Sequence, residues 1–216
     1  MRTVFGANAS PFVRKVRVVL AEKGLDYELI PVFPGPQAPP DFRVHSPLGK
    51  IPYFRDGDRT LADSSVISAY LERVHPTPAL YPADPHDYAR ALWFEEYADG
   101  GMVPVIGPKI FFKKVVAPRF FGQPCNEAEV AEAIATDVPP FCDYLEGQLA
   151  GDFFVGDGLT IGDVAVASVF VNLRHAGVGV DAARWPKLAA FVQRMRARPS
   201  FAPLIVEEEG FLGTGR

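Results

Sequence analysis

The chain has 216 residues, 48% of them hydrophobic and 22% charged, a globular composition with length for one or two cored domains, which excludes a disordered tail or a fibrous repeat. A total of 26 acidic residues against 22 Lys and Arg leaves a net charge of -4, the wrong sign for wrapping nucleic acid by phosphate neutralisation. Cys125 and Cys142 form no CxxC and have no neighbouring histidine pair, so neither a metal site nor a disulfide framework is expected. No run reaches the roughly 18 apolar residues of a membrane span and the N-terminus lacks a signal-peptide core, so a cytoplasmic protein without membrane association is expected.

In chain order, Arg2 to Gly6 is β-favouring and Asn8 to Ser10 a short loop. Ser10-Pro11 is an N-cap followed by proline at the first helical position, and Val13, Val16 and Leu20 share one face of the helix that follows. Lys23 and Gly24 end it, and Tyr27 to Phe33 reads as a second strand, parallel to the first across a right-handed crossover. The proline-rich segment Pro34 to Pro40 is loop, with a helical turn around Asp41 to Val44. Ile51 to Arg55, the turn Asp56-Gly57-Asp58 and Thr60 to Ala62 predict a hairpin. A helix then opens at Asp63 or Ser64, with Val66, Ile67, Tyr70, Leu71 and Val74 on its buried face.

His75-Pro76-Thr77-Pro78 stops that helix. The expected domains are residues 1–77, a linker over 78–87 and a second domain over 88–216. The second domain reads as all-α, with helices over Leu92 to Ala98, Glu127 to Leu149, Ile161 to Ala176 and Lys187 to Ala197. Gly100-Gly101, Pro104 and Gly107-Pro108 are expected to kink or break the first of these regions.

Three segments can carry chemistry, and each also has an ordinary structural role. Ser10 is a cap, yet Arg14, Lys15 and Arg17 crowd the positive end of its helix, where an anion or thiolate offsets their charge. Gly49-Lys50-Ile51-Pro52 starts a strand, and its backbone can also pair with an extended ligand. Asp63-Ser64-Ser65 opens a helix whose free N–H groups suit a carboxylate.

Together, a βαβ-ββα half carrying S-P-F-x-R-K-V after its first strand, G-K-I-P before its hairpin and D-S at its last helix, followed by a helical half, resembles the cytosolic glutathione S-transferases. Phe154 to Asp163 is similar to the family's buried capping segment, in which Thr160 caps and Asp163 reaches back. Gly162 stands there where the family usually has alanine, at small cost near a helix terminus. The resemblance implies a thioredoxin-like N-terminal domain and an α-helical bundle domain. It implies an enzyme with glutathione as co-substrate, in which Ser10 hydrogen-bonds the sulfur and Ile51, before a cis Pro52, pairs with the cysteinyl unit. Lys50 then lies near the glycyl carboxylate, Asp63 faces the γ-glutamyl amino group, where the family usually has glutamate, and Ser64 faces its carboxylate. Asn8 is the alternative to Ser10.

A hydrophobic electrophile pocket is expected between the halves, with Phe12, Tyr97, Met102, Ile106, Phe111 and Phe112 as candidate lining; such side chains at helical spacing equally serve a core. Serine rather than cysteine at position 10 disfavours disulfide exchange, and Asn8-Ala9-Ser10-Pro11 lacks the Ser-Ser-Cys signature of maleylacetoacetate isomerases. The resemblance further implies a homodimer, with Asp99 a candidate to reach the partner's glutathione. The competing function is that of a non-catalytic binding or regulatory member, of the kind represented by stringent starvation proteins.

Overall fold

The structure, a computed structural model, describes residues 1–214. The chain divides into two units, Met1–Tyr81 and Pro82–Arg216. In the first, β1 (Arg2–Phe5) leads through α1 (Pro11–Glu22) to β2 (Glu28–Ile30), and β1 pairs with β2 in parallel. β3 (Tyr53–Asp56) and β4 (Arg59–Ala62) form the hairpin and α3 (Ser64–Val74) follows, giving the sheet order β2-β1-β3-β4. The order matches the expectation because each element carries its own signal. Pro11 supplies a preset φ behind the Ser10 cap, Val13, Val16 and Leu20 are fully buried, and Gly57 takes the positive φ the hairpin turn needs.

Two strands are shorter than their apolar runs. β2 stops at Ile30 and β3 starts at Tyr53 because Pro31 and Pro52 have no N–H to add a ladder rung. A short α2 (Phe42–His45) inserts Phe42 into a cluster with Phe5, Val32 and Tyr53, where the Phe5 and Tyr53 rings stack at 4.2 Å. Lys23 closes α1 from below: its buried ammonium meets Glu72 Oε2 at 2.7 Å and the carbonyls of His75 and Pro78 at 2.7 and 2.9 Å. Three acceptors on one ammonium offset its desolvation.

Among the described residues, every element of the second unit is a helix. α4 (Pro85–Glu96) starts three residues before Tyr88, inside the expected linker, because Asp84 Oδ1 caps the N–H groups of His86 and Asp87 with Pro85 at N1. Instead of breaking after Gly100, the chain stays helical to Phe121 through a π-helical turn (Tyr97–Met102), α5 (Val103–Ile106), a π-helical stretch (Gly107–Val116) and α6 (Ala117–Phe121). Proline removes a donor and presses on the carbonyl four residues back; the wider π turns re-register the ladder around Pro104 and Pro108. Gly122, at φ +63, ends the run.

The helix expected over 127–149 is two, α7 (Glu127–Thr136) and α8 (Val138–Gln148), since Pro139-Pro140 withholds consecutive donors at the join. α9 (Ile161–His175) is the buried centre of the unit, followed by α10 (Pro186–Ala197) and α11 (Ala202–Leu212). α11 has no strong period of its own and was not foreseen. Its Glu208 meets His175 Nε2 at 2.8 Å with both side chains buried, and Glu209 pairs with Arg174. Among the described residues no helix is long and apolar enough to cross a membrane.

Candidate functional site

Strand register assembles the site. Phe5 pairs with Tyr53, and Tyr53 with Ala62, so the exit from β1, the entry to β3 and the exit from β4 share one end of the sheet. Those three points deliver Ser10, Ile51-Pro52 and Asp63-Ser64. Gly6 permits the approach: a Cβ there stands 2.5 Å from Val13 Cγ2 and 3.3 Å from Ile51 Cβ.

Ser10 caps α1 with extended backbone, its Oγ accepting from Val13 N at 3.4 Å. That bond uses a lone pair and leaves the O–H to donate elsewhere. The Ile51–Pro52 peptide is cis, and Ile51 is half-buried. The loop before it is tied by buried Ser46, whose Oγ accepts from Lys50 N at 3.2 Å and donates to Lys50 O at 2.7 Å. The Lys50 side chain is exposed.

Asp63 holds φ +78, the one non-glycine residue with positive φ among the described residues, a conformation that asparagine and aspartate tolerate best. Its Oδ1 caps α3 by accepting from Ser65 N at 2.9 Å and Val66 N at 3.2 Å. Ser64 is buried behind it, its carbonyl accepting from Ser68 Oγ at 2.8 Å.

The three cations of α1 do not form a solvated ring around Ser10. Arg14, Lys15 and Arg17 are all buried; Arg17 Nε donates to Tyr27 Oη at 2.7 Å and its guanidinium to Oδ1 of Asn8, the alternative to Ser10. Lys15 Nζ donates to Ser65 Oγ at 3.0 Å, bringing a cation to the start of α3. Sequence reasoning missed this Lys15 contact, the Ser46 tie and the Arg43 guanidinium packed over Gly49 at 3.1 Å from its would-be Cβ. For Lys15 a signal existed: it sits between Val13, Val16, Val18 and Val19 in a helix that is buried almost all round.

The apolar candidates divide. In the helical unit Met102, Ile106 and Phe111 are buried, Phe112 is exposed and Tyr97 is half-buried, its ring 4.6 Å from Tyr144 and 5.9 Å from Phe141. Burial pushes the Tyr97 hydroxyl up to about 12, with Tyr144 and Cys142 adding to it, so this phenol stays protonated near neutrality. In the first unit Phe12 is half-buried at the start of α1.

Residues 4–79 match the family model of the glutathione S-transferase N-terminal domain, and residues 111–205 that of the C-terminal domain. Glutathione S-transferase 3 of Zea mays is 32% identical over 205 residues, 92% of this chain and 90% of that one. The chain belongs to the glutathione S-transferase family. Among solved structures, a glutathione S-transferase from Rhodospirillum rubrum superposes with a TM-score of 0.85 at 26% identity, over 94% of this chain and 91% of that one. One from Methylobacterium radiotolerans, solved in complex with glutathione sulfonate, gives 0.76 at 31% identity over 94% of both chains. Membership makes this protein a transferase with glutathione as co-substrate, and its fold is the thioredoxin-like half followed by a helical half that the motifs implied.

Proposed function

We propose that the protein activates the glutathione thiol as a thiolate at Ser10 for attack on a hydrophobic electrophile. The observation that carries this reading is the convergence of Ser10, Ile51-Pro52 and Asp63-Ser64 at one end of the sheet through the Phe5, Tyr53 and Ala62 register. The Ile51 backbone pairs with the cysteinyl unit as an added strand. At the start of α3 the γ-glutamyl carboxylate meets Ser64 and the amino group meets Asp63, while Lys50 takes the glycyl carboxylate.

The magnitudes suffice. A thiol with a pKa near 8.5 is a few per cent thiolate at pH 7, and a hydrogen bond to a charged group contributes roughly 1.5 to 3 kcal/mol, or about one to two pKa units. The helix N-terminus adds to this. Ser10 donates and orients, the bound sulfur attacks, and the apolar character of the candidate residues, Phe12 in the first unit and Tyr97, Met102, Ile106, Phe111 and Phe112 in the second, favours an apolar electrophile. The working form is a homodimer.

The test is a pH titration of the thiolate absorbance of bound glutathione. The wild type is expected to depress the thiol pKa by about one to two units, and Ser10→Ala to restore most of it and lower kcat/KM by about 10 to 100-fold. Unchanged kinetics and titration in Ser10→Ala remove Ser10 from the mechanism.

A further inference from the structure

The buried guanidinium of Arg17 joins the start of the second strand segment to the loop that enters α1. On one side its Nε donates to Tyr27 Oη at 2.7 Å, with Cζ 5.7 Å from the centroid of the Tyr27 ring; on the other its Nη1 donates to Asn8 Oδ1. Arg17 lies seven residues after Ser10, just under two helical turns, so the two share a face of α1, and helical side chains lean towards the N-terminus. The guanidinium is thereby carried back along α1 to the residues that precede Ser10.

Those residues form a tight turn. Asn8 and Ala9 are its central positions, and Ser10 N closes it by donating to Ala7 O at 3.1 Å. Ser10 follows with extended backbone, so the plane of the turn sets the direction in which its side chain leaves the chain. The contact from Val13 N to Ser10 Oγ is long, at 3.4 Å, and holds that side chain weakly. A charged donor on the Asn8 carbonyl oxygen is the stronger restraint, and it acts on the turn itself. Burying a guanidinium carries a desolvation penalty that an apolar side chain of similar length avoids; what Arg17 adds in return is a fixed geometry for the turn before Ser10.

We infer that Arg17 and Asn8 are positioning residues for the sulfur chemistry: Arg17, anchored on Tyr27, holds the side-chain oxygen of Asn8 and so fixes the turn that aims Ser10 Oγ. The inference rests on the proposed role of Ser10 and redefines that of Asn8, which acts through its oxygen on Arg17 and not as a second donor to the sulfur. The two roles use opposite ends of one amide. Aspartate keeps the end that accepts and lacks the end that donates, so Asn8→Asp and Asn8→Ala tell them apart.

The experiment titrates the thiolate absorbance of glutathione bound to full-length variants and measures, by calorimetry, their affinity for S-methylglutathione, which has no thiol to ionise. Asn8→Ala is expected to raise the bound thiol pKa by about 0.5 to 1 unit, a roughly 3 to 10-fold loss of thiolate below that pKa, and to keep S-methylglutathione affinity within about 2-fold of wild type. Asn8→Asp is expected to return the pKa to within about 0.3 of wild type, and Asn8→Ala to add nothing in a Ser10→Ala background. Tyr27→Phe, which removes one oxygen at the other end of Arg17, is expected to shift the pKa in the same direction by less; should the Asn8 variants misfold, Tyr27→Phe alone decides, and an unchanged pKa there overturns the proposal. A rise in Asn8→Asp as large as in Asn8→Ala, or additive effects of Asn8→Ala and Ser10→Ala, overturns it in favour of Asn8 as a direct donor. Loss of S-methylglutathione affinity in step with the pKa shift overturns it in favour of general disruption of the site. A wild-type pKa in Asn8→Ala overturns this inference alone when Ser10→Ala loses the depression, whereas a wild-type pKa in Ser10→Ala overturns the catalytic reading and this inference together.

Discussion

Two glycines without unusual φ do more for this protein than those in its turns. At Gly6 the missing Cβ lets Val13 and Ile51 close over the end of β1, so Gly6→Ala must push apart the two segments that carry Ser10 and Pro52. Its KM for glutathione is expected to rise about 10-fold or more in steady-state kinetics, a consequence of misplacing groups whose geometry has to hold within a fraction of an ångström. Gly162 plays the corresponding part in the helical unit. The sequence suggested a glycine of small cost where relatives have alanine, but a Cβ there meets Phe94 Cβ at 2.7 Å and the Ala91 carbonyl oxygen at 2.8 Å. The backbones of α9 and α4 are packed on that absence. Gly162→Ala is expected to destabilise by about 1 to 3 kcal/mol in urea unfolding, the usual range for overpacking, with kcat per folded molecule unchanged.

At the level of elements, the first unit was legible because cap, proline and apolar period agree locally: Ser10-Pro11, Asp63-Ser64 and the Asp56-Gly57-Asp58 turn each fall where an element begins or reverses. The helical unit was legible only in outline. Gly100, Pro104 and Pro108 carry signals that stop an α-helix, and no local pattern says that π turns will absorb them. α11 escaped because it is held by buried pairs with α9, such as His175–Glu208, rather than by a period of its own. The Lys15–Ser65 contact escaped for the same reason, since it joins elements 50 residues apart. It has a functional consequence. An ammonium at the N-terminus of α3 adds to N–H groups that already favour an anion, so Lys15→Met is expected to weaken glutathione binding by about 10-fold while leaving the bound thiol pKa depressed. Ser10→Ala is expected to give the reverse pattern, and a titration of both variants separates holding the tripeptide from activating its sulfur.

Across the whole molecule, stability and its pH dependence run through a residue of the helical unit that has no part in the proposed glutathione site. Asp163 was read from the sequence as the reciprocal partner of Thr160, and it is: its Oδ2 accepts from Thr160 N at 2.8 Å and Thr160 Oγ1 at 2.7 Å, while Oδ1 accepts from Phe154 N at 2.9 Å. The sequence did not foretell that this carboxyl would be completely buried, for burial is set by the packing of α9 and not by the capping motif. Burial outweighs the hydrogen bonds to the carboxylate and raises the Asp163 carboxyl to about 6 from its ordinary 3.8. A folded pKa above the unfolded one means that the native state holds the proton more tightly. Asp163 therefore stabilises the fold most below pH 4, loses that contribution as pH rises towards about 6, and is constant above it. The change amounts to about 3 kcal/mol on the linkage relation. Measured by urea unfolding between pH 4 and 7, the wild type is expected to lose stability relative to Asp163→Asn across that interval and to run parallel to it above pH 7. A constant difference between the two proteins from pH 4 to 7 contradicts the assignment. Asp163→Ala, which strands the buried N–H groups of Phe154 and Thr160, is expected to lose about 2 to 4 kcal/mol at every pH above 7.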